Sequence, residues 1–355
     1  MVLLTPGPVY LSDEIRVAQA NEMISHRCKE FDELHMWIIN NLKKNFNAEE
    51  AYVITGSGSL GVETIICNAV NKQETMLCLT NGDFGDRFAK VAGIYAGKVI
   101  TETLPWNQGW NLERAKPKID AAHAAGAKVF GMVYNETSTG VTNKAGEICK
   151  YAKSKGMLTV IDAVSAWAGI ELDMKAMAID FTTTGSQKAI AAPPGLAMIG
   201  VSADGVKKYS SQIPPTYYNN MNTMKKFMEK KQTPYTPAVS LFFGLKAALE
   251  RMERDGGYSA NVKRHAEAAQ YAREQAQKLG LKLFAEDGFR SNTVLAIETD
   301  KYDLIFKTLR DKYNIHIGGG QGQLKGKVIR PCHIGNFKKQ DLDLLFAALR
   351  EILQQ

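Results

Sequence analysis

The chain has 355 residues, 45% of them hydrophobic and 23% charged, which is typical of a soluble globular protein large enough for more than one core. Its 44 basic and 37 acidic residues give a net charge of +7, but they are dispersed without a dense basic tract, so we expect no nucleic-acid partner and at most anionic small substrates. No apolar run reaches the roughly 18 residues that a membrane helix needs, and the six histidines lack metal-ligand spacing, so we expect neither a membrane span nor a metal site.

Between residues 50 and 200, short apolar or β-branched runs alternate with longer segments of helical period. The predicted strands are AYVIT (51–55), TMLCLT (75–80), KVITETL (98–104), KVFGMVY (128–134), MLTVIDAV (157–164), FTTTG (181–185) and LAMIGV (196–201). The predicted helices are SLGVETIICNAV, DRFAKVAGIYAG, LERAKPKIDAAHAAG and AGEICKYAKSKG. This alternation predicts an α/β fold with a mostly parallel, seven-stranded sheet covered by helices.

The second part of the chain has a different pattern. Residues 205–240 are rich in Pro, Tyr and Asn and predict irregular structure, and LFFGLKAALERMERDGG predicts a long helix that ends in glycines. Further segments follow: a helix near 259–279, strands LKLFAE and NTVLAIET, a helix near 303–313, strands IHIGGG and KVIRPCHIG, and a final helix to Gln355. We expect an N-terminal arm (1–20), a large domain (21–250) and a smaller C-terminal α+β domain (251–355).

The first motif with chemical content is GSGSLG, from Gly56 to Gly61, which follows a predicted strand and begins a helix. It satisfies the pattern GxGxxG, so a nicotinamide oxidoreductase is one interpretation. The physical content is broader, because backbone N–H groups at a helix N-terminus bind phosphate, here with the hydroxyls of Ser57 and Ser59. The motif therefore predicts a site for a phosphorylated cofactor.

Two further residues narrow the choice of cofactor. Asp162 ends an apolar strand, at the edge where open parallel sheets bind ligands, and Lys188 lies in the uncharged run FTTTGSQKAIAAPPG. Alone, Asp162 fits a helix N-cap and Lys188 fits a lysine whose head reaches water. Together with the phosphate motif they indicate pyridoxal phosphate (PLP), which a lysine holds as a Schiff base while an aspartate keeps the pyridine nitrogen protonated. Burial would also lower the pKa of the lysine, as proton transfer requires.

At this point the sequence resembles the class V aminotransferases of fold type I, particularly the alanine–glyoxylate and serine–pyruvate aminotransferases. The resemblance covers essentially the whole chain. Its motifs, in chain order, are TPGP (5–8), GSGS, NGDFGDR (81–87), NETSTG (135–140), IDAVSA, GSQKA, TPYTPAVSL (233–241) and GGGQGQLKGKVIRPCHIG (318–335). It implies a PLP-dependent transferase fold, with the large and small domains expected above, and a homodimer with active sites at the interface.

The resemblance also implies roles for individual residues. The residues assigned to the cofactor phosphate are Ser57, Gly58, Ser59 and Gln187. Phe84 takes the place of the aromatic residue that stacks on the pyridine ring, often Trp in relatives, and Thr137 matches the hydroxyl residue beside the ring oxygen, where Ser is usual. Thr236 matches a residue that reaches the phosphate from the neighbouring subunit. Thr233 falls where a Tyr would contact that phosphate.

Two residues are assigned to the substrate by the same resemblance. Arg330 matches the arginine that grips the substrate α-carboxylate, for which a guanidinium offers two parallel hydrogen bonds, and Gly7 of TPGP belongs to the same subsite. On its own, Arg330 would be interpreted as a surface arginine at the end of a strand.

These assignments predict an aminotransferase that moves the amino group of alanine or serine to glyoxylate or pyruvate by a ping-pong route. An aspartate or a 2-aminoethylphosphonate transaminase shares nearly all the motifs. A cysteine desulfurase-like lyase needs a mobile nucleophilic cysteine, and Cys332, the cysteine nearest to a candidate site residue, is expected to be packed. The nicotinamide alternative leaves Lys188 and Asp162 unexplained. The five cysteines, odd in number and without a CxxC pair, are typical of reduced thiols in a cytoplasmic protein.

Overall fold

The structure is a computed structural model that describes residues 1–354. The strands are β1 (Val2–Leu4), β2 (Glu50–Thr55), β3 (Thr75–Thr80), β4 (Lys98–Thr103), β5 (Ala127–Val133), β6 (Asn135–Glu136), β7 (Val141–Thr142), β8 (Leu158–Asp162), β9 (Phe181–Gly185), β10 (Leu196–Val201), β11 (Lys282–Leu283), β12 (Ile297–Glu298), β13 (Ile315–Gly319) and β14 (Val328–Arg330).

The helices follow the same chain order. They are α1 (Asp13–Ala18), α2 (Lys29–Phe46), α3 (Gly58–Ala69), α4 (Asp83–Tyr95), α5 (Leu112–Ala124), α6 (Ala145–Ser154), α7 (Met174–Met177), α8 (Ala203–Ser210), α9 (Met221–Met228), α10 (Val239–Arg254), α11 (Gly257–Lys278), α12 (Tyr302–Asp311) and α13 (Lys339–Leu353).

The large sheet contains all seven strands that the alternating pattern predicts. Its order is β2-β10-β9-β8-β5-β3-β4. Only β10 runs against the others, because it pairs antiparallel with both β2 and β9. The side chains of β9 and β10 are all buried, as expected for strands covered on both faces. The mostly parallel seven-stranded sheet is therefore confirmed.

Two apolar cores lie on opposite faces of this sheet. One core joins the sheet to α2, α5, α6 and α10 through buried residues such as Ile38, Ile119, Ile148 and Phe242. The other joins it to α3 and α4 through residues such as Ile65 and Phe88. The helices thus fix the positions of the loops at the strand ends, where the candidate site residues lie.

A second sheet of five strands, in the order β1-β13-β14-β12-β11, carries the C-terminal part of the chain. Its first strand comes from the N-terminal segment, since β1 pairs parallel with β13, Val2 opposite Ile315. Leu4, Ile329 and Phe346 belong to its core. The strands predicted over LKLFAE and NTVLAIET are present but contain only two residues each. We keep the domain limits near residues 20 and 250 as a proposal.

The prediction of irregular structure over residues 205–240 is wrong in part. Helices α8 and α9, of eight residues each, lie in this region. The Ser202 side chain accepts a hydrogen bond from the N–H of Gly205, and the Asn220 side chain accepts one from Asn222. Such capping stabilises a helix that is too short to show a clear apolar period.

Within residues 1–354, no helix has both the length and the apolar character needed to cross a bilayer.

Candidate active site

Most of the predicted site residues line one cavity of about 150 Å³ at the carboxyl ends of the central strands. They are Ser57, Gly58, Ser59, Phe84, Thr137, Asp162, Gln187 and Lys188. The sequence separations among these residues are large, and the parallel sheet brings them together because the loops after β2, β3, β5, β8 and β9 share one edge.

The phosphate motif lies at the N-terminus of α3. Ser57 is the N-cap residue, in extended conformation, and its side chain makes no capping hydrogen bond, so the first N–H groups of the helix remain available to an anion. A Cβ atom on Gly58 would lie 2.9 Å from Cγ2 of Val164, so only glycine fits there. The Gln187 side chain lines the same cavity, where its amide N–H groups can donate to an anion. This cradle fits a phosphate group.

Lys188 lies in the loop after β9 and is only 8% exposed. Its Nζ donates a hydrogen bond to the backbone carbonyl of Pro6. Burial lowers the pKa of Lys188 to about 8, although the negative charge of Asp162 acts in the opposite direction. A buried amine with a lowered pKa can act both as a nucleophile and as a proton carrier near neutral pH.

Gly7 packs directly against this lysine. Its φ is +123°, and a Cβ atom there would lie 3.1 Å from both Lys188 Cδ and the carbonyl oxygen of Gln187. A side chain at this position would therefore displace the lysine or its loop. The TPGP motif thus contacts the site through its backbone.

Asp162 ends β8 and is 5% exposed. Its Oδ1 atom accepts a hydrogen bond from the Val164 N–H at 2.8 Å. Burial raises the pKa of Asp162, while that hydrogen bond and the positive charges of Arg87 and Lys188 act against the rise. A protonated ring nitrogen in the cavity would supply the close cationic partner that favours the ionised carboxylate.

Phe84 lies in the first turn of α4, and the fully buried Glu136 holds that turn in place. The Glu136 carboxylate accepts hydrogen bonds from the N–H groups of Phe84 and Gly85 and from Ser138. The guanidinium carbon of Arg87, which also lines the cavity, lies 4.5 Å from the Phe84 ring centroid.

Sequence reasoning assigned no role to Glu136 or Arg87. Arg87 follows Phe84 by three residues, which on a helix places the two side chains side by side. This spacing is the only feature of the sequence that indicates their contact. Nothing in the sequence near Glu136 indicates that its carboxylate reaches the start of α4.

Thr137 connects the cavity to the second sheet. Its hydroxyl donates a hydrogen bond of 2.6 Å to the Ser165 hydroxyl. Its backbone carbonyl accepts a hydrogen bond of 2.7 Å from Nη1 of Arg330. The residue therefore contributes a side chain to the cofactor cavity and a carbonyl to the neighbouring arginine.

Arg330 is 3% exposed, so the alternative of a surface arginine is wrong. Its Nε donates to the Gly319 carbonyl at 2.8 Å, and among residues 1–354 no carboxylate lies within ion-pair distance and Nη2 has no hydrogen-bond partner. Burial lowers the pKa of Arg330. A buried guanidinium without a paired anion is costly, so the arrangement fits a site that receives a carboxylate.

Thr236 and Thr233 lie away from this cavity. Thr236 is exposed, with Oγ1 at 3.5 Å from His26 Nε2. Thr233 is buried and donates to the Tyr235 carbonyl. Both line a different cavity. The contact of Thr236 with the phosphate of a neighbouring subunit stays a prediction.

Cys332 is fully buried, as expected. Burial raises the pKa of its thiol to about 12, and Sγ donates to the Arg330 carbonyl. A packed, protonated thiol does not serve as a mobile nucleophile. Within residues 1–354, no group of His, Cys, Asp and Glu side chains is arranged to hold a metal ion.

Comparison with known proteins agrees with this geometry. The aminotransferase class-V family model matches residues 14–325. An uncharacterized aminotransferase of Methanocaldococcus jannaschii is 36% identical over 345 residues, which cover 94% of this chain and 88% of that protein. The L-aspartate–glyoxylate aminotransferase of Paracoccus denitrificans is 29% identical, over 94% of this chain and 86% of that protein.

A solved structure extends the agreement to the fold. The alanine–glyoxylate aminotransferase of Nostoc sp. matches with a TM-score of 0.93 and 26% identity, over 99% of this chain and 95% of that chain. The nicotinamide interpretation of GSGSLG is therefore wrong. The chain belongs to the class V aminotransferases, and it is a pyridoxal-phosphate-dependent transaminase.

Proposed function

We propose that this enzyme transfers the amino group of a small neutral L-amino acid, alanine or serine, to glyoxylate or pyruvate in two half-reactions at one site. The observation that carries the proposal is the buried Arg330, with a free Nη2 and no paired carboxylate among residues 1–354, beside a cavity that contains Lys188 and Asp162. Such a pair of subsites suits a substrate that presents an amine and a carboxylate on one carbon.

Different residues of the cavity would bind different parts of the cofactor. Pyridoxal phosphate, when bound, supplies an aldehyde for amines and a ring that accepts electrons. The N-terminus of α3, with Ser57 and Ser59, suits the phosphate, and the amide N–H groups of Gln187 can donate to it. Asp162 suits the ring nitrogen, and Phe84 suits the ring face. Lys188 is the residue that attaches the aldehyde.

Arg330 orients the substrate. A carboxylate bound to the free edge of its guanidinium accepts charge-assisted hydrogen bonds, which fix direction as well as position. The 2.7 Å bond from Arg330 to the Thr137 carbonyl holds the guanidinium beside the cavity, so that a bound amino acid directs its Cα toward Lys188. Gly7 leaves room for this approach because it has no side chain.

Lys188 moves the proton. With pyridoxal phosphate and substrate bound, the Lys188 Nζ would accept the proton from the substrate Cα and later return a proton to the substrate. A pKa of about 8 keeps part of the population unprotonated near neutral pH, which is the condition for a general base.

A homodimer is part of the proposal. Ile213 and Tyr217 are 87% and 84% exposed, and this surface adjoins the loop that carries Thr236. Exposed apolar residues of this size support burial against a second copy of the chain. Sedimentation measurements on the holoenzyme test the assembly, and a Thr236→Ala variant with unchanged cofactor affinity would contradict the role of Thr236.

A panel of amino donors and 2-oxo acceptors tests the reaction. We expect the highest kcat/KM with alanine or serine as donor and with glyoxylate or pyruvate as acceptor. A higher value for aspartate would overturn the choice of substrate. Faster turnover of 2-aminoethylphosphonate, which carries no carboxylate for Arg330, would overturn the role of that residue as well. Release of sulfide from cysteine would favour the lyase alternative.

A further inference from the structure

Asp83 is a half-buried carboxylate at the first residue of α4, in a position without an assigned role. Its backbone N–H donates to the Ser138 hydroxyl at 3.0 Å. The preceding residue, Thr137, accepts the hydrogen bond from Arg330. Two consecutive residues of one turn therefore hold Asp83 and Arg330 near each other.

The side chain of Asp83 faces the loop between β13 and β14. A Cβ atom on Gly322, in that loop, would lie 3.4 Å from Asp83 Oδ1 and 2.8 Å from Trp106 Cη2. The same loop leads into the strand that carries Arg330. The carboxylate thus lies between the start of α4 and the loop that precedes the strand of Arg330.

The charge of Asp83 has no close partner. Within residues 1–354, no Lys, Arg or His nitrogen lies within ion-pair distance of Asp83, and its carboxylate makes no hydrogen bond. Burial lowers the pKa of Arg330, and the negative charge of Asp83 is one of the groups that oppose this effect. The two side chains are therefore within electrostatic reach of each other.

Glu136 is also near Arg330, but its situation differs. Its carboxylate is fully buried and accepts hydrogen bonds from Phe84, Gly85 and Ser138. Its oxygens already have donors, and burial raises its pKa, so Glu136 serves to hold the start of α4. Asp83 keeps its charge available to a substrate.

We propose that Asp83 determines specificity by repelling a second carboxylate on the substrate. This inference rests on the proposed function, and it deepens that function by excluding aspartate and glutamate as preferred donors. An amino acid held through its α-carboxylate by Arg330 directs its side chain into the same region, where an unpaired negative charge disfavours an anionic group and tolerates a methyl or hydroxymethyl group.

The first test compares Asp83→Asn with the wild-type holoenzyme. The change keeps shape and removes charge, so we expect the ratio of kcat/KM for aspartate to that for alanine to rise on the order of tenfold. Asp86→Asn is the matched control, because it removes the same charge from the same first turn of α4. An equal rise in the control, or no rise in Asp83→Asn, would overturn the inference.

The second test needs no turnover. Dissociation constants of the holoenzyme for maleate and propionate are measured by calorimetry. Asp83→Asn should bind maleate on the order of tenfold more tightly and propionate within about twofold of the wild type. Unchanged maleate binding would overturn the inference even where alanine is a good donor. If neither alanine nor serine is used but maleate binding responds, the proposed function fails and the role of Asp83 stands.

Discussion

Arg330 donates a hydrogen bond of 2.7 Å from Nη1 to the backbone carbonyl of Thr137. The arginine belongs to the five-stranded sheet, whereas Thr137 lines the cavity at the edge of the seven-stranded sheet. This bond sets the distance between the guanidinium and the cofactor cavity. If Arg330 binds the substrate carboxylate as proposed, the relative position of the two sheets determines where that carboxylate lies.

Replacement of Arg330 by alanine should weaken every substrate that carries a carboxylate. The lost charge-assisted interaction is worth about 2–4 kcal/mol, which corresponds to a decrease in kcat/KM of roughly 30- to 1000-fold. Arg330→Lys should recover only part of the loss, since an ammonium lacks the planar fork. The visible absorbance of the bound cofactor should be unchanged. An unaltered kcat/KM in Arg330→Ala would place the carboxylate elsewhere.

Attachment of the cofactor should depend on pH through Lys188. Its pKa of about 8 leaves the amine protonated and unreactive at lower pH, so the rate should rise about tenfold per pH unit below 8 and level off above it. Borohydride trapping of apoenzyme mixed with pyridoxal phosphate, followed by peptide mass spectrometry, measures the rate at Lys188. Lys188→Ala should give no trapped cofactor at this peptide. Lys175→Ala, a change at an exposed lysine, should behave as wild type.

Asp162→Asn keeps the shape of the side chain but removes its charge. We expect loss of deuterium from the substrate Cα to slow on the order of 100-fold or more, because a neutral amide no longer stabilises a protonated ring nitrogen. Cofactor affinity should change far less, since the phosphate cradle is independent of Asp162. Proton NMR follows the exchange. Wild-type exchange in the variant would show that Asp162 is only structural.

The buried His333 should make the fold sensitive to acid. Burial lowers its pKa from 6.5 to about 4, although contacts with the backbone of His333 and Asn292 oppose the shift. The unfolded chain binds a proton below pH 6.5 and the folded chain only below about 4. The free energy of unfolding is therefore unaffected by the titration of His333 above pH 6.5. It falls by about 3 kcal/mol as the pH decreases toward 4.

Urea unfolding between pH 7 and 4 measures this effect. His333→Gln should show a shallower fall in the free energy of unfolding than the wild type, and His316→Gln, a change at a half-exposed histidine, serves as the control. The fully buried His265, whose pKa burial also lowers, should leave part of the slope in His333→Gln. Identical slopes in wild type and His333→Gln would contradict the prediction.

The large sheet could be predicted because its strands are short, continuous apolar runs between clear helices. The phosphate motif, Asp162 and Lys188 could be predicted for a related reason, since their positions at strand ends follow from the order of the elements. Strand β1 could not be predicted from the residues around Val2–Leu4. Three residues carry no period, and their partner Ile315 lies at the other end of the sequence.

The remaining site residues depend on contacts that sequence order does not specify. Glu136 reaches the start of α4 only because β5 and β3 are neighbours in the sheet. Asp83 lies near Arg330 only because the loop before β14 folds over the start of α4. The predicted contact of Thr236 with the phosphate involves a second copy of the chain, so neither the sequence nor a single chain tests it.

The pairing of β1 with β13 has a consequence for the order in which the protein matures during translation. Strand β1 leaves the ribosome before every other element of the fold, but its partner β13 is made after the whole seven-stranded sheet. Until then, the segment that ends in Pro6, whose carbonyl accepts the hydrogen bond of Lys188, lacks its strand partner. All strands of the large sheet are therefore synthesised before β13. The surroundings of Lys188 are complete only after β13 has been made and has paired with β1.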